Sequence, residues 1–214
     1  MEPYLYTGNN PIMFTDPTGM SKQQGGDPKK KSLSRGVPDL FPTGINRDQL
    51  VKKIGESIDP TTNYFYSNTF DSTGGSYDYD NNVVMITNKS FQFYNLNDVK
   101  STIEHELLHK KFGKAETFKD HVDVYFNQAK SGTFKKTSDK YKAAHSVAYG
   151  QRLLNSYVKG EIASDDFDNQ IAEYNLLNQN FKISRNNAQK PKDDSLKVAN
   201  INVNIKYKEM DYGD

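Results

Sequence analysis

Residues 101–113 read STIEHELLHKKFG, and within them His105-Glu106-Leu107-Leu108-His109 decides which fold and which chemistry the chain is expected to have. On a helix, positions i and i+4 share a face, so both imidazoles reach one point in space. Glu106 lies about 100° round from His105, close enough to touch a water held there without being a ligand itself. Two neutral imidazoles and one ionised carboxylate are what a hydrolytic zinc site requires. The metal lowers the pKa of its water towards about 7, and the carboxylate takes the proton.

Working outward, Asn97 or Asp98 is expected to cap this helix, with Val99, Ile103 and Leu107 as its apolar positions and Gly113 as its end, giving a helix over about 98–112. Upstream, residues 76–80 alternate, Asn81-Asn82 tolerate positive φ, and residues 83–87 are apolar, which predicts a hairpin with a two-residue turn. Residues 90–94 suggest a further strand, and Asn46 precedes a helix running to Ile58. Downstream, helices are expected over 118–130, 138–158 and 165–181, and a strand over 198–207. The expected fold class is α+β, a small antiparallel sheet packed on about five helices.

A catalytic zinc site takes a third protein ligand. Downstream donors are Glu116, Asp120, His121, Asp123, His145, Glu161 and Glu173. On a helix over 118–130, Phe118, Val122, Tyr125, Phe126 and Ala129 form the apolar stripe; His121 lies at its inward shoulder, whereas Glu116, Asp120 and Asp123 point largely away. His121 is the best-placed donor, Glu173 the main competitor, and His145 a residue near the cleft or within the core. Tyr125, Tyr149 and His145 are the candidates for stabilising charge on the attacked carbonyl oxygen.

Composition narrows the chemistry. The 214 residues contain 28 Lys and Arg against 27 Asp and Glu, so the net charge of +1 gives no global pull towards nucleic acid or anionic membranes. There is no Cys, so any zinc is held by His and carboxylate, as in a catalytic site with an open position. No apolar run approaches the roughly 18–20 residues of a membrane span. Residues 21–37 are rich in Gly, Ser, Gln, Lys and Pro and read as a linker, with Lys29-Lys30-Lys31 a solvated charge run. Three parts are therefore expected: residues 1–20, a joint over 21–37, and a domain over 38–214.

Three resemblances bear on this organisation. Tyr4-Leu5-Tyr6, Asn9-Asn10-Pro11 and Asp16-Pro17-x-Gly19 resemble the end of an RHS (YD-repeat) core, whose β-shell is followed by a variable toxic tip. That resemblance implies an upstream RHS carrier shell and a cut between Met20 and Ser21, although the upstream Asp-Pro element used by that cleavage is missing. His105-Glu106-x-x-His109 resembles the zincin metallopeptidases, in which the active-site helix packs beneath a sheet whose edge strand aligns the substrate. Metzincins would carry Gly at 112 and His at 115, where this chain has Phe112 and Ala115. Residues 105–126 also resemble metallopeptidase payloads of RHS proteins, in which a Phe-x-x-His-x-x-Val-Tyr element maps onto Phe118, His121, Val124 and Tyr125.

Together the resemblances imply a zinc-dependent endopeptidase toxin at the tip of an RHS protein, with His105, His109 and His121 as zinc ligands and Glu106 as general base. They further imply a secreted effector delivered into a target cell, by type VI secretion for example, a protein substrate there, and a cognate immunity protein in the producer. A nucleic-acid-targeting tip and a non-catalytic zinc-binding module are the alternatives. The balanced charge and missing Cys weigh against the first.

Overall fold

The computed structural model describes residues 46–68, 74–87, 95–185, 195–200 and 203–206. The expected carrier remnant and linker, including Met20 and Ser21, and the expected strand over 90–94 lie outside the described residues. The fold is α+β, built among the described residues from five α-helices and small, largely antiparallel sheets. Among the described residues no helix is long and apolar enough to cross a membrane.

Helix α1 (Arg47–Ile58) starts where the Asn46 side chain accepts from the backbone N–H groups of Asp48 and Gln49. Its Gly55 lies against the ring of Tyr64 so closely that a Cβ would meet the ring at 2.3 Å. Tyr64 belongs to β1 (Asn63–Ser67), which runs parallel to β3 (Val83–Thr87); β2 (Gly75–Asp78) lies antiparallel on the other side of β3. Among the described residues, the order β1-β3-β2 leaves β2 at an edge. The expected hairpin is present, but its loop comprises Tyr79 to Asn82 rather than two residues, because Asp78 pairs with Val83. The Asp78 carboxylate accepts from the N–H groups of Asp80 and Asn81 and so ends the strand early, while Asn82 takes a positive φ of 53°.

Helix α2 (Leu96–Phe112) is capped earlier than expected: the Asn95 side chain accepts from the N–H groups of Asn97 and Asp98. Asp98 is instead fully buried, accepting from both the backbone N–H and the hydroxyl of Ser138. Gly113 closes the helix at φ 90°. Helix α3 (Phe118–Lys130) begins in a reciprocal capping box between Thr117 and Asp120. It folds back on α2: His109 meets His121, His105 meets Tyr125, and Ser101 accepts from Gln128. Those pairs run in opposite directions along the chain, the mark of an antiparallel helical hairpin.

A short 3-10 turn (Phe134–Lys136) leads to α4 (Asp139–Val158), capped by Ser138, and then to α5 (Ser164–Leu177). Helix α5 stops before the expected Phe181 because Asn178 leaves helical geometry, its amide donating to Ser146 and to the carbonyl of Lys142. The strand expected over 198–207 is two strands, β5 (Ser195–Val198) and β6 (Val203–Lys206), joined with β4 (Ile183–Arg185) in a second antiparallel sheet. Asn200, at φ 67°, supplies the bend that a continuous strand would lack.

Two apolar cores result. One gathers Val51, Tyr64, Val84, Ile86, Val99 and Ile103 between α1, the first sheet and α2. The other gathers α3, α4, α5 and the second sheet, with Phe134, Tyr149, Leu153, Phe167, Tyr174 and Ile205 among its members. The α2–α3 hairpin joins them, so side chains between these helices lie on the seam.

Candidate metal centre

The histidines singled out by the sequence lie on that seam. His105 and His109 are one helical turn apart on α2, their ring centroids 5.1 Å from each other, and His121 of α3 packs its ring 4.9 Å from that of His109. Both contacts are edge to face. Burial holds His105 well below the usual histidine range and brings His109 to about 4 and His121 to about 3. For the latter two, the Arg152 guanidinium adds to the effect by disfavouring a second positive charge. Near neutrality the three imidazoles are therefore uncharged, each with one nitrogen lone pair.

Glu106 is 5% exposed, and burial pushes its carboxyl up to about 8. It faces the edge strand: a Cβ on Gly75 of β2 would stand 3.0 Å from Glu106 Oε1. The strand backbone thus passes directly over the carboxyl. The hairpin loop is fastened to the same helix by Tyr79, whose hydroxyl proton is shared between the carbonyls of His109 (3.1 Å) and Gly113 (2.7 Å). On its outer side, α2 is tied to the turn after α1 through Lys110, which donates to Asp59, Thr61 and Thr62.

Other candidates fall elsewhere. His145 of α4 is buried behind Tyr125, its Nε2 3.0 Å from Gln128 Oε1 and its Nδ1 2.9 Å from the Tyr174 hydroxyl. Glu173 is on the exposed face of α5, where its charge is felt by Tyr149. Tyr149 is inside the second core, stacked on Tyr174 at 4.1 Å. Asp120 is taken up by the α3 cap, Asp123 by Lys119, and Glu161 by the N–H of Lys119. Tyr125 does reach the cluster, its ring 4.6 Å from that of His105.

Two further residues belong to the site without standing out in the sequence. Gln128 holds His105 Nδ1 at 2.8 Å, and Arg152 lies over the ring of Tyr125 with its Cζ 5.8 Å from the centroid. The Arg152 Nε is buried with no hydrogen-bond partner among the described residues. Both have a signal: His121, Tyr125 and Gln128 are spaced i, i+4, i+7 on α3, as are His145, Tyr149 and Arg152 on α4, so each trio shares a helix face.

No protein-family model matches the chain, and no curated protein or solved structure matches it either. Only the geometry of the site speaks to its chemistry. Among the described residues, no group of three or more His, Asp or Glu is gathered as a metal-binding set. The imidazole rings pack edge to face. The donors nevertheless suit zinc in kind and state: three uncharged imidazoles, with the His109 ring against each of the other two, one of the three with its second nitrogen already held by an amide oxygen, on a helix that also carries a buried carboxyl.

Proposed function

We propose that this chain is a zinc-dependent endopeptidase in which His105, His109 and His121 hold the metal and Glu106 is the general base. The observation that carries the proposal is the placing of a buried Glu106 on the histidine helix directly beneath the edge strand β2. When bound, zinc lowers the pKa of a water towards about 7 and polarises a substrate carbonyl.

The protein's own residues supply the rest. Glu106 takes a proton from the attacking water and passes it to the leaving amine; its carboxyl, raised to about 8 by burial, would be held in the ionised form needed to start as the base by a positive charge bound beside it. The outer edge of β2, which pairs with no strand among the described residues, offers backbone groups to an extended substrate beside that carboxyl. Arg152 brings a positive charge towards His109 and His121 and favours the oxyanion that develops during attack. Tyr125, its ring against that of His105, is a second candidate for the same task.

The RHS-like residues 1–20 support a role as a delivered toxin tip acting on proteins of a target cell, restrained in the producer by an immunity protein. Glu106→Gln keeps the side-chain shape and removes the base. The expected result is one zinc per chain, by metal analysis, in both forms, with new protein N-termini and toxicity only in cells expressing the unsubstituted chain. Toxicity surviving in the variant would refute the mechanism. Full zinc loading with no cleavage by the unsubstituted chain would favour a non-catalytic zinc module.

A further inference from the structure

Gln128 is 2% exposed and contacts four side chains and a carbonyl at the centre of the seam. Its Nε2 lies 2.9 Å from the carbonyl oxygen of Ser101, an atom that can only accept. That contact fixes the amide orientation, because a flipped side chain would set two acceptor oxygens against each other. The Ser101 and Tyr141 hydroxyls, at 3.0 and 2.9 Å, complete the surroundings of the nitrogen. Gln128 Oε1 must therefore face the other way, where it meets His105 Nδ1 at 2.8 Å and His145 Nε2 at 3.0 Å.

An amide oxygen accepts through two lone pairs and donates nothing. Both nitrogens that touch it must carry hydrogen. In a neutral imidazole the opposite nitrogen is then bare. For His145 that nitrogen is Nδ1, and the Tyr174 hydroxyl is in place to donate to it at 2.9 Å. The Tyr174 oxygen in turn accepts from Asn178 Nδ2 at 3.2 Å. For His105 the bare nitrogen is Nε2.

We infer that Gln128 is a positioning residue that fixes opposite tautomers in two histidines, Nδ1–H in His105 and Nε2–H in His145. It makes His105 a donor through Nε2, and it commits both nitrogens of His145 to the protein, so that His145 is a prop and not a ligand. A carboxylate would satisfy both imidazoles but would turn its second oxygen towards the Ser101 carbonyl, which explains an amide at this position. The use of His105 Nε2 rests on the peptidase reading; the tautomers are a property of the protein without metal.

Long-range proton–nitrogen correlation spectra of the ¹⁵N-labelled, metal-free chain read the tautomers directly. His105 is expected as Nδ1–H and His145 as Nε2–H. A His105 that carries its proton on Nε2, or exchanges between the two forms, overturns the inference even if zinc binds tightly. Gln128→Met, which removes the acceptor, is expected to release the His105 tautomer and weaken zinc binding by roughly 10- to 100-fold. Gln128→Glu keeps an acceptor towards both imidazoles and is expected to retain the His105 tautomer, with stability lowered because its second oxygen meets the Ser101 carbonyl. Equal zinc affinity in the unsubstituted chain and Gln128→Met also overturns it. Should the Met variant fail to fold, the spectrum of the unsubstituted chain decides. A chain with the expected tautomers that binds no zinc sinks the peptidase reading and leaves this one standing.

Discussion

Gly75 shows how finely the site depends on single residues. A Cβ there would stand 3.0 Å from Glu106 Oε1 and from Ile86 Cδ1, and 3.1 Å from the carbonyl oxygen of Met85. The carboxyl can swing away, but the Met85 carbonyl belongs to the adjacent strand and cannot. Gly75→Ala is therefore expected to displace Glu106 at a cost of roughly 1–3 kcal/mol in stability. Misplacing a catalytic group by about 1 Å lowers turnover on the order of 100-fold. Zinc content should stay at one per chain, so a cleavage assay paired with metal analysis separates the two effects; undiminished cleavage would show that β2 does not position the carboxyl. His105, Glu106 and His109 are legible in the sequence because a five-residue motif states their types and spacing together. Gly75 is not, because a close approach between strand and helix leaves no local pattern. Gln128 and Arg152 fall between these cases: their i+7 spacing from His121 and His145 is visible, but nothing in a Gln or an Arg announces a role until its partner is in view.

At the scale of elements, capping chemistry makes the helices readable, and short strands defeat the same approach. Thr117, Ser138 and Gly113 mark real helix ends, and the expected helix over 118–130 is the observed α3. The cap of α2 differs from the expected one because Asn95, Asn97 and Asp98 are all good caps, and what separates them is tertiary: Asp98 is drawn into the core by Ser138. Strand β1, with its partner some 20 residues along, carries no alternation; it is held by pairing with β3 and by Gly55 making room for Tyr64. The β5–β6 bend is hidden because the run over 198–207 alternates through it. The hairpin loop next to the site is pinned to α2 through the Tyr79 phenol. Tyr79→Phe removes that hydroxyl and is expected to cost about 1 kcal/mol. Amide exchange should quicken at residues 79–82 and 110–113 and leave the second core unchanged. Uniform quickening would mean that the loop is held by something else.

Across the whole molecule, the burial of uncharged histidines sets the response to acid. His109, His121 and His145 lie at about 4, 3 and 3 in the folded chain, against about 6.5 when exposed. As pH falls from about 6.5 to 4, the unfolded chain takes up protons that the folded chain refuses, so stability present above 6.5 is progressively lost. The limit is roughly 1.4 kcal/mol per pH unit for each histidine. Asp98, raised to about 6, and Glu106, raised to about 8, both by burial, act in the opposite sense, losing stability as pH rises from about 4 to 6 and from about 4.5 to 8. They are two groups against four buried histidines, His105 being the fourth. Urea midpoints of the metal-free chain should therefore fall steeply below pH 6.5. In His145→Asn the slope should be shallower, whatever the midpoint at pH 7; an unchanged slope would show that His145 is not held uncharged. The seam has a further consequence, in time rather than space. The first core is complete by Ile103, with His105 and His109 just beyond it, whereas His121 arrives with the second core, which runs from Val122 to Ile205. During synthesis from the N-terminus, a chain interrupted before residue 121 carries the residues of the first core and two of the three imidazoles, yet it has neither His121 nor Gln128. Under the proposed mechanism, incomplete copies are harmless copies.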